Sequence, residues 1–323
     1  MKGSWKSAAR AAFCKGGGVY LAQWMKRKSL RILMYHRLPD PVRLEWQCRY
    51  LRQNYRVISL SEAAEALRAG RELASNSLVV TVDDGYHDVY EIAWPVFAAY
   101  RIPAMVYVVT GFLSGELWLW TDQVQYAFEK TRRGEVRIEL PGTETWDFRL
   151  RTGQERRAAG RKLEEALKLV SNEERLRALE RLTELLEVQI PGEAPRGCEP
   201  LRWSEIHEMA RGGIEFGAHT RRHPVLSRVS SAEELADEIA GSKRCLEEAL
   251  GAPVRHFCYP NGLPRDISPE AVEMVRQAGY ETAVTTEVGV NGPGDDLLRL
   301  RRIGVDPGYE PEYFQQCAAA FWV

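Results

Sequence analysis

Short apolar runs rich in β-branched residues alternate with longer amphipathic stretches along this chain. The runs at 31–36, 78–83, 104–110, 214–218, 256–260, 282–286 and 298–305 predict strands, because each is bounded by turn-forming or charged residues. Helices are predicted between them. Ser61 is placed to cap a helix ending near Gly70, Ser231 with Glu234 reads as a capping box, and Ser268 followed by Pro269 opens a helix that stops at Gly279. Strand, helix, strand order implies parallel strands joined by right-handed crossovers. The expected architecture is therefore α/β, a (β/α) barrel of about seven parallel strands.

One interval breaks the rhythm. Residues 112–200 are too many for a barrel loop and too regular for disorder; Leu163, Leu167, Val170, Leu176, Leu179, Leu182 and Leu186 fall at helical spacing, with Ser171 and Glu174 as a capping box. This mostly helical insertion follows the strand at 104–110, so it emerges on the carboxyl side of the barrel, where a wall or lid would lie over a site.

Chemistry concentrates at that same side. Thr81-Val82-Asp83-Asp84-Gly85 ends an apolar run with two adjacent carboxylates, a costly arrangement unless a cation or shared proton relieves it. Alone, Asp-Asp-Gly also reads as a turn, with Gly supplying positive φ. Gly217-Ala218-His219-Thr220-Arg221-Arg222-His223 brings two imidazoles to the end of another strand. It does not read as a metalloprotease helix, because Thr220 stands where the Glu would be and Pro224 pushes His223 into a loop. One carboxylate with two histidines would make a facial metal set with positions open for water and substrate.

Thr81 to Gly85 and His219 to His223 resemble the first two motifs of the polysaccharide deacetylases, the NodB-homology or carbohydrate esterase family 4 domain. Phe257-Cys258-Tyr259-Pro260-Asn261-Gly262 is similar to the third, and Ile32-Leu33-Met34-Tyr35-His36-Arg37 resembles the opening strand of a branch with permuted site residues. The likeness spans about 29–305. It implies an irregular (β/α) barrel, with 29–111 and 201–310 forming the deacetylase barrel, 112–200 the insertion, 1–28 a basic segment and 311–323 a tail. It further implies removal of acetyl groups from the N-acetylated sugars of a polysaccharide or oligosaccharide.

Roles follow from the same resemblance. Asp84, His219 and His223 would hold one divalent ion, with zinc the expected metal; Asp83 would be the general base, and the backbone N–H at Asn261 would face the oxyanion. Two departures stand out. Cys258 occupies the position of the family's base-orienting arginine; Arg302 reads either as its spatial substitute or as a surface residue. No histidine follows His256, so the family's late general acid is missing; His36 is assigned that role, with His87 as competitor. Trp118 and Trp120 at the mouth of the insertion either stack on sugar rings or anchor the insertion, and packing is the favoured reading. Two alternatives to the enzyme are a catalytically weak carbohydrate-binding protein on the same barrel and a hydrolase of a non-sugar amide.

Composition changes little except at the amino terminus. With 323 residues, 45% of them hydrophobic, the chain can bury one large core, and a net charge of −1 gives no case for a nucleic-acid partner. Yet Lys2, Lys6, Arg10, Lys15, Lys26, Arg27, Lys28 and Arg31 occur before the first acid, Asp40. Interleaved with Trp5, Phe13, Val19, Tyr20, Leu21, Trp24 and Met25, they read either as an amphipathic segment lying on an anionic membrane or as a disordered basic tail. Lys15 and Gly16-Gly17-Gly18 interrupt any signal-peptide core. Six scattered cysteines without C-x-x-C fit free thiols, and the expected location is cytoplasmic or peripheral to a membrane.

Overall fold

A computed structural model describes residues 10, 13, 14, 16–140 and 145–321. Its strands are β1 (Arg31–Tyr35), β2 (Arg56–Val57), β3 (Ser77–Val82), β4 (Ala104–Val108), β5 (Glu135–Ile138), β6 (Trp146–Arg149), β7 (Glu215–Ala218), β8 (His256–Cys258), β9 (Thr282–Val288) and β10 (Leu300–Gly304). The hydrogen-bonded order β1-β10-β9-β8-β7-β4-β3 closes through a parallel β1–β3 pairing, and the two-residue β2 flanks β3. Seven parallel strands thus form a barrel with helices around it.

Every residue of β3 and of β4 is buried, as a parallel sheet covered on both faces requires. Alternation sorts their side chains. Leu78, Val80, Val82, Ala104, Val106 and Val108 face outward into the core shared with the helices. Val79, Met105 and Tyr107 face the barrel interior, where they meet Ile32, Cys258, Val284 and Leu300. The interior is narrow: a Cβ on Gly217 would stand 2.6 Å from the Tyr107 ring and 2.8 Å from the His256 carbonyl. Helix Leu60–Arg68 packs Leu60, Ala63 and Leu67 into the same cluster. Its cap is Ser59, whose side chain accepts from the Glu62 N–H, and not Ser61; Ser61 instead bonds His256 at 3.0 Å.

The other helix signals behave as read, with one subtraction. Ser268 caps helix Pro269–Gln277, and Ser171 with Glu174 makes a complete capping box on helix Asn172–Leu186. Ser231 caps through the Glu234 N–H, but the return bond that would complete its box is absent from this helix start. Within 112–200, helices Trp120–Lys130, Gly153–Leu167 and Asn172–Leu186 share a second core with an antiparallel hairpin, β5–β6, that the periodicity did not reveal. Leu163, Leu167, Val170, Leu182 and Leu186 are buried there, whereas Leu176 is half exposed. All six cysteines are free.

Candidate active site

Alternation also decides which polar side chains reach the barrel mouth. On β1 the inward parity runs Ile32, Met34, His36; on β3 it runs Val79, Thr81, Asp83; on β7 Gly217, His219; on β8 His256, Cys258; on β10 Leu300, Arg302. His36, Asp83 and His219 each fall one residue beyond their strand's carboxyl end. Asp84 has the wrong parity. Its φ of 77° breaks the alternation and returns its carboxylate to the mouth beside Asp83. Thr220 (67°), His223 (58°) and Asn261 (59°) share this left-handed conformation, which costs a non-glycine residue about 1–3 kcal/mol and persists only where surroundings enforce it.

The three side chains of the expected metal set converge. Oδ1 of Asp84 lies 3.5 Å from Nε2 of His219 and 3.6 Å from Nε2 of His223, and the two Nε2 atoms are 3.2 Å apart. Donors about 2.0–2.1 Å from a tetrahedral zinc stand about 3.3 Å from each other, so the three converge as such an ion requires. Nδ1 of His219 donates to the Cys258 carbonyl at 2.8 Å, which fixes the tautomer that leaves Nε2 free to ligate. Nδ1 of His223 is buried without a partner among the described residues. Asp83, His219 and Cys258 form a second convergent trio. It suits a cation less well, because Asp83 is already spent on a guanidinium.

That guanidinium is Arg302, fully buried, which donates from Nη1 to Oδ1 and from Nη2 to Oδ2 of Asp83, both at 2.7 Å. Its remaining donors reach the Thr285 carbonyl, Thr81 Oγ1 and Cys258 Sγ. Arg302 thus reaches Asp83 from β10 and packs its guanidinium against Cys258 of β8, so it is not a surface residue. Burial pushes the Asp83 carboxyl up, but Arg302, with smaller contributions from His36 and His219, outweighs it and holds the group below its ordinary value. Asp84 is likewise held low, burial being outweighed by the adjoining imidazoles of His219 and His223. Burial, then neighbouring His219, pushes His223 down to about 3.

His36 meets this pair: Nε2 is 3.9 Å from Oδ2 of Asp83, and its side chain is 48% exposed, open to a substrate. His87 does not. It pairs with Glu205 at 3.1 Å and with Glu91 at 3.8 Å on the barrel flank. His256 is buried at the amino-terminal side against Ser61 and Thr282, and His207 lies on helix Trp203–Arg211. Asn261 follows β8 in a left-handed pair with Gly262, and its backbone N–H has no acceptor among the described residues.

The supports of the histidine loop escaped sequence reading. Glu238, buried, accepts from the backbone N–H groups of Arg221 and Arg222 at 2.9 and 2.8 Å. Thr220 Oγ1 accepts from the His223 N–H at 3.0 Å. Trp120, from the insertion, donates its indole N–H to the His223 carbonyl at 3.1 Å, with Arg175 stacked 5.0 Å above its ring. Both tryptophans are buried, Trp118 bonding the Pro191 carbonyl, so they anchor the insertion and do not offer faces to a sugar. No spacing rule links positions 120, 175 and 238 to 223; only the fold brings them together.

The barrel mouth thus gathers an Asp-His-His set that could hold a metal ion beside an arginine-clamped carboxylate. The family model for polysaccharide deacetylase matches residues 70–283, and the chain belongs to that family. YxkH of Bacillus subtilis (strain 168), which carries the same family name, is 21% identical over 302 residues, 90% of this chain and 77% of that protein. The poly-β-1,6-N-acetyl-D-glucosamine N-deacetylase of Escherichia coli (strain K12) is 36% identical over 63 residues, but these span 19% of this chain and only 9% of that enzyme. The structure of the Streptococcus pyogenes deacetylase PplD in complex with acetate superposes with a TM-score of 0.59 at 19% identity, covering 90% of this chain and 99% of that one. That likeness establishes the shared fold.

Proposed function

We propose that this chain removes acetyl groups from N-acetylated amino sugars of a poly- or oligosaccharide, with one divalent ion, zinc for preference, held by Asp84, His219 and His223. The observation that carries the reading is the clamped Asp83 placed against that set, with His36 3.9 Å away. A purely binding barrel needs no such acid. When bound, the ion would supply a water of lowered pKa and polarise the acetyl carbonyl.

The side chains supply the proton transfers. Arg302 keeps Asp83 ionised and fixes its plane, leaving carboxylate lone pairs to take the proton of an attacking water as general base. The Asn261 N–H is the donor for the developing oxyanion. Protonated His36, exposed at the rim, delivers a proton to the departing amine, completing acetate and a free amino sugar. The short stretch shared with the Escherichia coli enzyme supports β-1,6-linked N-acetylglucosamine as the first polymer to test.

Acetate release from N-acetylglucosamine oligomers, with chelator and with zinc restored, is the direct experiment. Asp83→Asn should lose about 10² to 10⁴ in rate with metal content intact, whereas Asp84→Asn should lose metal as well. Equal metal loss in both variants, or no acetate from any N-acetylated glycan with the metal-loaded chain, overturns the assignment.

A further inference from the structure

Helix Gly18–Met25 presents two apolar faces, and the body of the protein covers only one. Val19 and Ala22, at helical spacing, are buried against the carboxyl-terminal segment around Ala319, with Gln23 buried beside them. On the opposite side Tyr20, Leu21, Trp24 and Met25 are 69%, 59%, 61% and 66% exposed. Single exposed apolar residues are ordinary on a soluble surface. Four on consecutive turns of one helix form a contiguous patch, which marks a surface that meets something.

The patch is fixed in place. Gln23 donates to the Tyr55 hydroxyl at 2.8 Å, and the Arg27 carbonyl accepts from the Asn76 N–H at 2.7 Å, just ahead of β2 and β3. The helix therefore lies at the amino-terminal side of the barrel strands, opposite the mouth. Lys26, Arg27 and Lys28 follow the patch directly; Arg27 stacks on the Trp24 ring at 4.7 Å, and Lys28 pairs with Glu72. In sequence this segment belongs to a stretch with no acid before Asp40. Apolar side chains rimmed by positive charge complement an anionic bilayer, in which the ring and aliphatic groups enter the headgroup boundary while the cations meet lipid phosphates. No helix among the described residues is long and apolar enough to cross a membrane, so the contact would be peripheral.

We propose that this face docks the protein on an anionic lipid surface, and that docking turns the active-site mouth away from the membrane toward substrate. The occupant is the bilayer, not a second copy of the chain. The test is co-sedimentation of the full chain with vesicles of phosphatidylcholine alone or of equal parts phosphatidylcholine and phosphatidylglycerol, at low and high salt. Binding should favour the anionic vesicles by about tenfold or more and weaken with salt. Leu21→Ser with Trp24→Ser should abolish it, and Lys26→Gln with Arg27→Gln should weaken it by roughly fivefold per charge removed. Because Leu21 and Trp24 are exposed and Lys26 and Arg27 are only half-buried, both variants should keep the wild-type melting temperature. Equal binding of the wild type and the Leu21→Ser, Trp24→Ser variant overturns the proposal. So does a failure of the wild type to bind anionic vesicles, including the case where light scattering finds a dimer that this variant loses.

Discussion

The two halves of the candidate site are built by different means. Asp83, Arg302 and His36, to which we assign the proton transfers, lie on a strand or one residue beyond it and reach the mouth because their parity points inward. Asp84, His223 and Asn261 reach it through left-handed backbone in loops. The first half is specified locally by a period of two. The second half is held from outside, by Glu238 beneath the histidine loop and by Trp120 of the insertion behind His223. Removing a group from the strand-borne half should therefore change chemistry or core stability. Removing a support of the loop-borne half should change metal affinity.

The largest effect is expected at Arg302. Deleting one partner of a buried ion pair leaves an uncompensated charge, and Arg302→Met should cost about 3–5 kcal/mol of stability at neutral pH. The sign of the pH dependence should also reverse. With Arg302 present the Asp83 carboxyl sits below its ordinary value, so the pair stabilises the fold above the usual carboxylate range and loses that contribution as pH falls through the depressed folded value. Without Arg302, burial dominates and raises the carboxyl, so the variant should gain stability as pH falls and the acid limb of kcat/KM should move to higher pH. Calorimetry across pH together with a pH–rate profile checks this. An unmoved acid limb in a folded Arg302→Met would show that Arg302 does not set the state of Asp83.

Next in size is His36. As general acid it should contribute about 10² to 10⁴ to kcat, and His36→Ala should show that loss with metal content and melting temperature unchanged. His87→Ala is the control, since the Glu205 pairing places His87 on the flank; its kcat should stay near wild type. A normal kcat in His36→Ala with a severe loss in His87→Ala transfers the role to His87.

The contrast between the halves also explains what could be read from the sequence. Each predicted strand that forms the barrel is present, within a residue or two at its ends, because fully buried runs such as Leu78 to Val82 have few alternative fates. The end of a predicted strand made His36 legible as a mouth residue, whereas Arg302 could be read only as one of two options, a substitute for the arginine missing at Cys258 or a surface residue. The β5–β6 hairpin was not, since Glu135–Ile138 and Trp146–Arg149 are four residues each and carry charges on the exposed face. The cap at Ser59 was missed for a local reason: Ser59 and Ser61 flank the same leucine, and only the backbone shows which hydroxyl faces the Glu62 N–H. Trp120 bonds His223 from 103 residues away, Arg175 stacks on Trp120, and Glu238 bonds Arg221 and Arg222 from 17 and 16 residues away; such contacts leave no periodic trace.

The smallest effect, and the one that separates the halves most sharply, is expected at Trp120. Its indole N–H meets the carbonyl of His223, a residue already in the left-handed region, so the bond helps hold a strained ligand in its metal-binding pose. Trp120→Phe keeps an aromatic ring against Arg175 and the insertion core but removes the donor, leaving the His223 carbonyl buried and unpaired. Groups that orient a ligand from behind are typically worth about 10- to 100-fold in metal affinity, and the lower end is expected here because Thr220 and Glu238 still brace the loop. Competition with a chromogenic zinc chelator measures that loss directly. At saturating zinc, kcat should return close to wild type, since Asp83, Arg302 and His36 are untouched. A variant that binds zinc normally yet melts early would make Trp120 a packing residue alone, and a variant whose kcat stays low at saturating zinc would mean that the insertion acts on the proton-handling half after all.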